Sequence, residues 1–215
     1  MARPRKFDER AVLLAARGRF RRYGYAATSM QDLCEAAGVA SQSLYGAFGS
    51  KHGLYVRTLE DYCAEQLAGL RAGRERARSP WAWLLAAVTY DDGGTIGLSD
   101  DGCYLSGSAS ALSRLDSTVN AIAERTYART LELLTATVRE AQAAGEIRTD
   151  VSADDIGAAL LTAMQGIEFL LKSGLGEEAC AHARRSVVEG LRRAYARPTP
   201  APSGCGAQEG PPEPP

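Results

Sequence analysis

The sequence is poor in the residues that build metal centres and covalent cross-links. It has only two histidines, His52 and His182, which lie far apart in the chain. Its five cysteines are scattered, odd in number and form no CxxC pair, which argues against a disulfide framework or a zinc cluster. We therefore expect reduced thiols, no metal and no other cofactor. The cysteines are Cys34, Cys63, Cys103, Cys180 and Cys205.

Long apolar runs are also missing. No stretch of about eighteen uncharged apolar residues is present that could cross a bilayer. The basic residues 1–6 are followed by an amphipathic segment and not by an apolar h-region, which excludes a secretory signal. Apolar residues nevertheless make up 45% of the chain, enough to bury a core. These features favour a globular, cytoplasmic protein without membrane contact.

The net charge of −1 hides an asymmetry along the chain. Residues 1–60 hold ten Lys or Arg against five Asp or Glu, whereas residues 61–215 hold fifteen against twenty-one, which gives +5 and −6. A basic end on an otherwise acidic protein is typical of polyanion binding, and a solvated helix face is the alternative.

Apolar residues recur at spacings of three and four almost throughout, which predicts an all-α fold. Residues 197–215 are rich in Pro and Gly, and we expect them to be disordered. The segment 91–102 is rich in Gly and Asp and predicts a loop. Helices are predicted over residues 8–23, 30–37, 41–48, 51–69 or beyond, 80–90, 103–115, 117–144, 153–172 and 177–196.

The second and third predicted helices form a helix-turn-helix. They are joined by residues 37–40, where Gly38 can take the positive φ of a sharp turn. Thr28 or Ser29 can cap the first of these helices, and Ser41 can cap the second. Leu44 and Phe48 on the second helix face inward. The outer side is left with small polar and hydrogen-bonding residues, namely Ser41, Gln42, Ser43, Tyr45 and Gly46.

That outer side suits the base edges and phosphates of a major groove. A further helix begins near Ser50 and Lys51, where its positive end and an ammonium group both favour phosphate. The sequence therefore predicts a DNA-binding helix with two phosphate-binding helix starts beside it.

These residues resemble the TetR family of bacterial repressors. The stretch AGVASQSLYGAFGSK (37–51) matches the family's A-G-V-S turn followed by L-Y-x-x-F-x-x-K. Phe20, Gly24, Tyr25, Thr28 and Ser29 match its F-x-x-x-G-[YF]-x-x-[TS]-[TS] pattern. The resemblance covers roughly residues 8–60. One departure is Ala47, where an aromatic residue or His is frequent.

The resemblance implies that Thr28, Tyr45 and Lys51 contact phosphates, with Ser29 beside them, and that the start of the recognition helix approaches bases. The residues that approach bases are Ser41, Gln42 and Ser43, with Gly46 on the same helix. It also implies a flexible basic arm reaching the minor groove, and an arm that only aids solubility is the alternative. The arm is Arg3, Arg5 and Lys6.

The resemblance further implies a helical effector domain around a ligand pocket and a homodimer on double-stranded operator DNA, formed through helices 153–172 and 177–196. We expect an arm at 1–7, a DNA-binding domain at 8–52, an effector and dimerisation domain at 53–196 and a tail at 197–215. Aromatic and apolar side chains with few polar groups suit an organic effector. For each candidate, packing in the core is the alternative. The candidates are Trp81, Trp83, Cys103, Tyr104, Tyr127, Met164, Ile167, Glu168 and Phe169.

Gly102 and Cys103 resemble the Gly-Cys helix start of a TetR subgroup that responds to drugs or electrophiles. Cys103 is therefore either a sensor thiol or a packed core residue. A small helical enzyme is the alternative class. Residues 97–101 approach a nucleophile elbow but lack its final Gly and its preceding strand, so we expect no catalytic residues.

Overall fold

The computed structural model describes residues 7–89 and 102–197, and within these ranges the chain is helical. The basic arm, the predicted loop at 91–101 and residues 198–215 of the tail lie outside the described residues. The helices are α1 (Glu9–Ala27), α2 (Met30–Ala37), α3 (Ser41–Phe48), α4 (Lys51–Arg76), α5 (Pro80–Thr89), α6 (Tyr104–Leu112), α7 (Ser117–Ala143), α8 (Ala153–Lys172) and α9 (Glu177–Tyr195).

The all-α prediction is confirmed, and most helix ends fall where caps and glycines predict them. Ser29 caps α2 in a capping box with Asp32, and Gly38 ends that helix at φ 64°. Ser50 caps α4 by accepting a hydrogen bond from Gly53 N–H. Pro80 opens α5, as its missing N–H allows.

Two predicted boundaries are corrected. Helix α1 passes the predicted stop at Gly24, where φ is 79°, and continues to Ala27 beyond this kink. Ser41 does not cap α3, because Ala40 takes the cap position in an extended conformation and leaves Ser41 as the first helical residue. Helix α4 extends beyond residue 69, as predicted, and ends at Arg76.

Two hydrophobic cores hold the helices together. The first core joins α1–α3 to α4, α6 and the start of α7, and it includes Leu44, Leu54, Tyr55, Tyr104 and Val119. The second core joins the end of α4 to α5, α7, α8 and α9, and its fully buried members include Leu84, Leu134, Val138, Ile156 and Leu160. Helices α1–α3 therefore share their core with the helices that follow them.

Among the described helices, none combines the length and apolarity that crossing a membrane requires. Cys34, Cys63, Cys103 and Cys180 are free thiols, as predicted, and Cys205 lies outside the described residues.

Candidate nucleic-acid interface

Helix α3 is anchored by one side and open on the other. Leu44 is fully buried in the first core and Phe48 is partly buried against it. Ser41, Gln42 and Gly46 are exposed, and Tyr45 keeps 48% of its surface. Ser43 lies at the edge and is partly buried. The predicted inward and outward faces are both present in the structure.

The outer face of α3 has no partner inside the described chain. No side-chain hydrogen bond from Ser41, Gln42, Ser43 or Tyr45 to any described residue is formed. Amides and hydroxyls left in this state on a protruding helix are available to an external ligand with donors and acceptors. This geometry agrees with the predicted DNA-binding helix, which we call the reading helix.

The turn before α3 fixes how the helix projects. Gly38 is left-handed, and Val39 N–H donates to Cys34 O at 3.1 Å, which closes α2 and reverses the chain. Helix α2 is tied to α1 by an ion pair of 3.0 Å between Arg19 and Asp32. Hydrogen bonds from Ser29, with the Arg19 charge, hold the pKa of Asp32 below its ordinary value. Helices α1–α3 are thereby linked into one unit.

Two residues with predicted phosphate contacts, Thr28 and Lys51, form hydrogen bonds within the protein. Thr28 is 1% exposed, and its hydroxyl donates to Gly24 O at 2.8 Å. Lys51 Nζ donates to Tyr25 O at 3.0 Å and to Thr28 O at 2.9 Å, and it lies 4.3 Å from the centre of the Tyr25 ring. In this structure Thr28 and Lys51 stabilise the end of α1, and their contacts with phosphate stay predictions.

Ser29 is exposed, but its hydroxyl is used by the capping box. It accepts from Asp32 N–H at 3.1 Å and donates to the Asp32 carboxylate at 2.7 Å. The cap orients the start of α2. Ser29 therefore contributes to the candidate interface chiefly by fixing the backbone of this helix start.

The excess of basic residues in α1 is largely neutralised inside the protein. Arg17 pairs with Glu65 at 2.6 Å, and Arg10 pairs with the same carboxylate group at 2.7 Å. Arg19 is held by Asp32, and Arg21 donates to Gly102 O. Among the described residues, acidic side chains of α2 and α4 therefore face most of the α1 arginines, and these arginines do not form one continuous basic patch.

The predicted effector residues separate into several places. Cys103, Tyr127, Met164 and Glu168 line one cavity of about 50 Å³ between α4, α7 and α8. Tyr104 is buried in the first core and also lines a neighbouring cleft. Trp81, Trp83 and Ile167 belong to the second core, and Phe169 is 70% exposed. These last four residues do not line the cavity.

Sequence reasoning missed several polar residues at this cavity. Ser106 Oγ lies 2.8 Å from both Gln165 Oε1 and Glu168 Oε2, and Tyr127 OH donates to Gln165 at 3.1 Å. Tyr62 OH donates to Cys103 Sγ at 3.5 Å. Gln165 directly follows the predicted Met164, so the helical period of three to four from Glu168 could have indicated it.

Two family models match the chain. The model of bacterial regulatory proteins of the tetR family matches residues 12–58, and that of the tetracyclin repressor-like C-terminal domain matches residues 94–187. The chain belongs to the TetR family.

Curated relatives and solved structures agree with this membership. An uncharacterized HTH-type transcriptional regulator of Bacillus subtilis, YezE, is 34% identical over 113 residues, which are 51% of this chain and 57% of that protein. The HTH-type transcriptional repressor ComR of Escherichia coli is 28% identical over 82% of this chain and 85% of its own. Both are named as regulators and not as enzymes.

A solved structure reproduces the whole TetR fold. A cysteine mutant of the TetR family transcriptional regulator CifR, complexed with 26-base-pair double-strand operator DNA, superposes with a TM-score of 0.73 at 22% identity. The match covers 87% of this chain and 98% of that one. At this identity the likeness shows a common fold, a helix-turn-helix followed by a helical C-terminal region.

Proposed function

We propose that this TetR family chain is a homodimeric transcriptional repressor that binds operator DNA through α3 and releases it when a small organic effector binds. The observation that carries the proposal is the exposed, unpartnered polar face of α3 above a fully buried Leu44. Ser41, Gln42 and Ser43 would contact bases, Tyr45 would contact phosphate, and Gly46 would let the backbone approach the groove. A regulator of this kind acts on DNA in the cytoplasm.

The likeness to other regulators supports the same assignment. CifR carries the same fold and was solved on operator DNA, and ComR is named a repressor. We propose the matching division of this chain into an arm at 1–7, a DNA-binding domain at 8–52, an effector and dimerisation domain at 53–196 and a tail at 197–215.

Helices α8 and α9 are the proposed dimer interface. On α9 only Cys180 is buried, although Val187, Val188 and Leu191 form an apolar stripe that is partly exposed. Phe169 on α8 keeps 70% of its surface, and Gly166 and Gly190 leave room for a close neighbour. A second copy would cover these groups and duplicate the reading helix for the second half-site.

The cavity between α4, α7 and α8 is the proposed effector site. Its volume of about 50 Å³ holds little more than water, whereas sites for drug-sized ligands span roughly 300–1,000 Å³. An effector would therefore stabilise a more open conformation, in which the two reading helices no longer match successive major grooves. Gln165, Glu168 and Tyr127 would supply its polar contacts.

Reaction of an electrophile or oxidant with Cys103 is the alternative trigger. Burial, followed by the nearby Glu168 charge, raises the pKa of the Cys103 thiol. Burial also raises the pKa of Cys63 to about 11. Because the thiolate is the reactive form, these environments favour packing and reversible ligand binding over sensing by a thiol.

The test is to select bound duplexes from a random DNA pool with the full chain and then to measure variants on the selected site. Gln42→Ala is expected to bind the selected site about tenfold more weakly. It should also lose the preference for one base at the position that Gln42 contacts. Asn120→Ala removes an amide from α7, outside the outer face of α3, and should leave binding unchanged. Replacing Arg3, Arg5 and Lys6 together by Ala should flatten the salt dependence if the arm contacts DNA.

Indifference of the purified protein to duplex sequence would contradict the proposal. So would a Gln42→Ala protein that selects the same site with the same affinity. An unchanged salt slope in the triple variant would reject the arm as a contact and leave the α3 proposal in place.

A further inference from the structure

We propose that the cleft between α1 and α6 is a second ligand site, built for an organic anion that carries an aromatic ring. It adjoins the small cavity between α4, α7 and α8, and Cys103 lies between the two. Its walls are the last turns of α1, the exposed side of α6 and the end of α8.

The cleft has the size of a ligand site in the structure as it stands. Its volume is about 580 Å³, against about 50 Å³ for the proposed effector cavity. Small-molecule sites commonly span roughly 300–1,000 Å³. No rearrangement is needed to admit a molecule of one or two rings.

Aromatic side chains form much of its lining. Tyr25 and Tyr55 have ring centres 4.8 Å apart, and Phe20 and Tyr104 each lie edge-on to Tyr55, at 4.9 and 5.9 Å. Tyr23 stands at the entrance with 46% of its surface exposed. Offset and edge-on ring contacts of this kind favour a flat aromatic ligand.

The charge of the lining is of one sign. Two basic residues, Arg21 and Lys172, line the cleft, and its described lining contains no Asp or Glu, although Glu168 and Asp116 lie behind Cys103 and Tyr55. Arg21 is fixed by donating to Gly102 O at the start of α6. Because apolar walls lower the local dielectric, two cations here attract an anion more strongly than they would in open water.

Two glycines leave room for the Lys172 side chain beside the cleft. A methyl group built on Gly102 would lie 2.9 Å from Lys172 Cβ, and one built on Gly107 would overlap Lys172 Nζ. The lysine stem therefore crosses α6 where side chains are missing, and its ammonium ends beside the cleft. Within the described part of the chain, neither a hydrogen bond nor an ion pair holds this ammonium, so it is free to meet a ligand carboxylate or sulfonate.

The position of the cleft gives an occupant a route to the DNA-reading unit. Tyr25 faces the cleft and its carbonyl oxygen accepts a hydrogen bond from Lys51 at the start of α4, while Arg21 bridges α1 to α6. A ligand wedged between α1 and α6 would change the pose of α1–α3. This consequence, unlike the binding itself, rests on the proposed function.

The experiment uses two fluorescent dyes that differ in one charge, 8-anilinonaphthalene-1-sulfonate and the neutral N-phenyl-1-naphthylamine, titrated into the full chain without DNA. We expect saturable binding of the sulfonate at one site per chain. Lys172→Gln should weaken it about tenfold, as loss of one charge-assisted contact does, with little effect on the neutral dye. Lys172→Arg should keep the affinity. Ala111→Trp, at an exposed cleft position on α6, should block both dyes.

The matched control is Arg71→Gln, which removes an exposed cation of α4 that does not line the cleft. The proposal is overturned if Lys172→Gln binds the sulfonate as Arg71→Gln does, or if Ala111→Trp leaves both affinities unchanged. Lys172 and Ala111 are both exposed, and circular dichroism melting verifies that each variant is folded. Because the dye titration contains no DNA, a negative result there does not contradict the proposed repressor function. A protein that selects no DNA sequence would likewise not contradict the proposed ligand site in the cleft.

Discussion

The two cores of the molecule are built from different chemistry. In the first core, hydroxyl groups form bonds across helices: Tyr55 OH donates to Ser108 at 2.8 Å, and Thr58 and Tyr104 hydroxyls lie 3.0 Å apart. The second core is aliphatic at its centre, where Leu84, Leu134, Val138, Ile156 and Leu160 are fully buried. One core depends on bond direction and the other on close packing.

This difference bears on how a regulator transmits a signal. A buried hydroxyl that loses its partner leaves a costly unsatisfied group, so hydrogen bonds across helices favour a few discrete arrangements, whereas close-packed aliphatic side chains resist displacement. The hydrogen-bonded core is also the one that joins α1–α3 to α6. We infer that the first core has discrete arrangements that a ligand can select, while the second core is a fixed frame for the proposed dimer face.

Leu134→Ala should produce the largest effect, because it opens a cavity at the centre of the aliphatic frame. The side chain is fully buried, so we expect a loss of about 2–5 kcal/mol in the free energy of unfolding. Urea unfolding followed by circular dichroism measures it. A loss below about 1 kcal/mol would show that the second core is loosely packed and would remove the contrast between the cores.

The counterpart in the first core is Tyr104→Phe, which removes one hydroxyl and no carbon. Thr58 keeps a partner, since its own hydroxyl donates to Tyr55 O at 2.7 Å. The expected cost is therefore about 1 kcal/mol, one net hydrogen bond. If the contrast holds, this variant should change the affinity for the selected operator more than Leu134→Ala does, relative to the stability each loses.

Asp116 tests the border of the first core through pH. Its carboxylate caps α7 through Thr118 N–H and Val119 N–H and lies 2.6 Å from His52 Nε2 of α4. Desolvation acts to raise its pKa, but the hydrogen bonds from Val119 and His52 outweigh it, so the pKa of Asp116 lies below its ordinary value. A lowered carboxyl pKa stabilises the fold above the unfolded value of about 3.9, and this stability is lost as pH falls through the folded value.

Asp116→Asn keeps a capping side chain but cannot titrate. We expect it to be less stable than the parent protein by up to about 1 kcal/mol at pH 6, and the gap should close below about pH 4. Denaturant unfolding of both proteins at several pH values checks this, and the comparison cancels the other carboxylates that titrate in the same range. A gap that stays constant with pH would mean that the carboxylate charge contributes nothing.

Local chemistry made much of the fold predictable. The cap at Ser29, one of the two predicted cap residues, the left-handed Gly38 and Pro80 at a helix start each depend on neighbours within four residues, and each agrees with the sequence prediction. The prediction of a cap at Ser41 was wrong because Ala40 takes the cap position with an extended backbone. The conformation of the turn sets this position, and the residue type does not indicate it.

The candidate site was less predictable because it depends on contacts distant in sequence. Leu44 and Phe48 correctly indicate the outer face of α3 from spacing alone. The engagement of Lys51 by Tyr25 O and Thr28 O, across more than twenty residues, leaves no local signal. Likewise, Trp81 and Trp83 look like ligand contacts by composition, and only packing against α7 and α8 shows them in the second core.

Cys103 provides the smallest and most selective test of the contrast. It is buried in the first core beside Tyr62, with a raised pKa, so its thiol should react slowly although the core around it is polar. In native protein at pH 7.5, iodoacetamide should modify the partly exposed Cys34 before Cys103, as mass spectrometry of peptides would show. In urea the two should react alike. If Cys103 is modified first in the native state, and this releases DNA from the parent protein but not from Cys103→Ala, the polar core is a thiol sensor and not a ligand-selected set of hydrogen bonds.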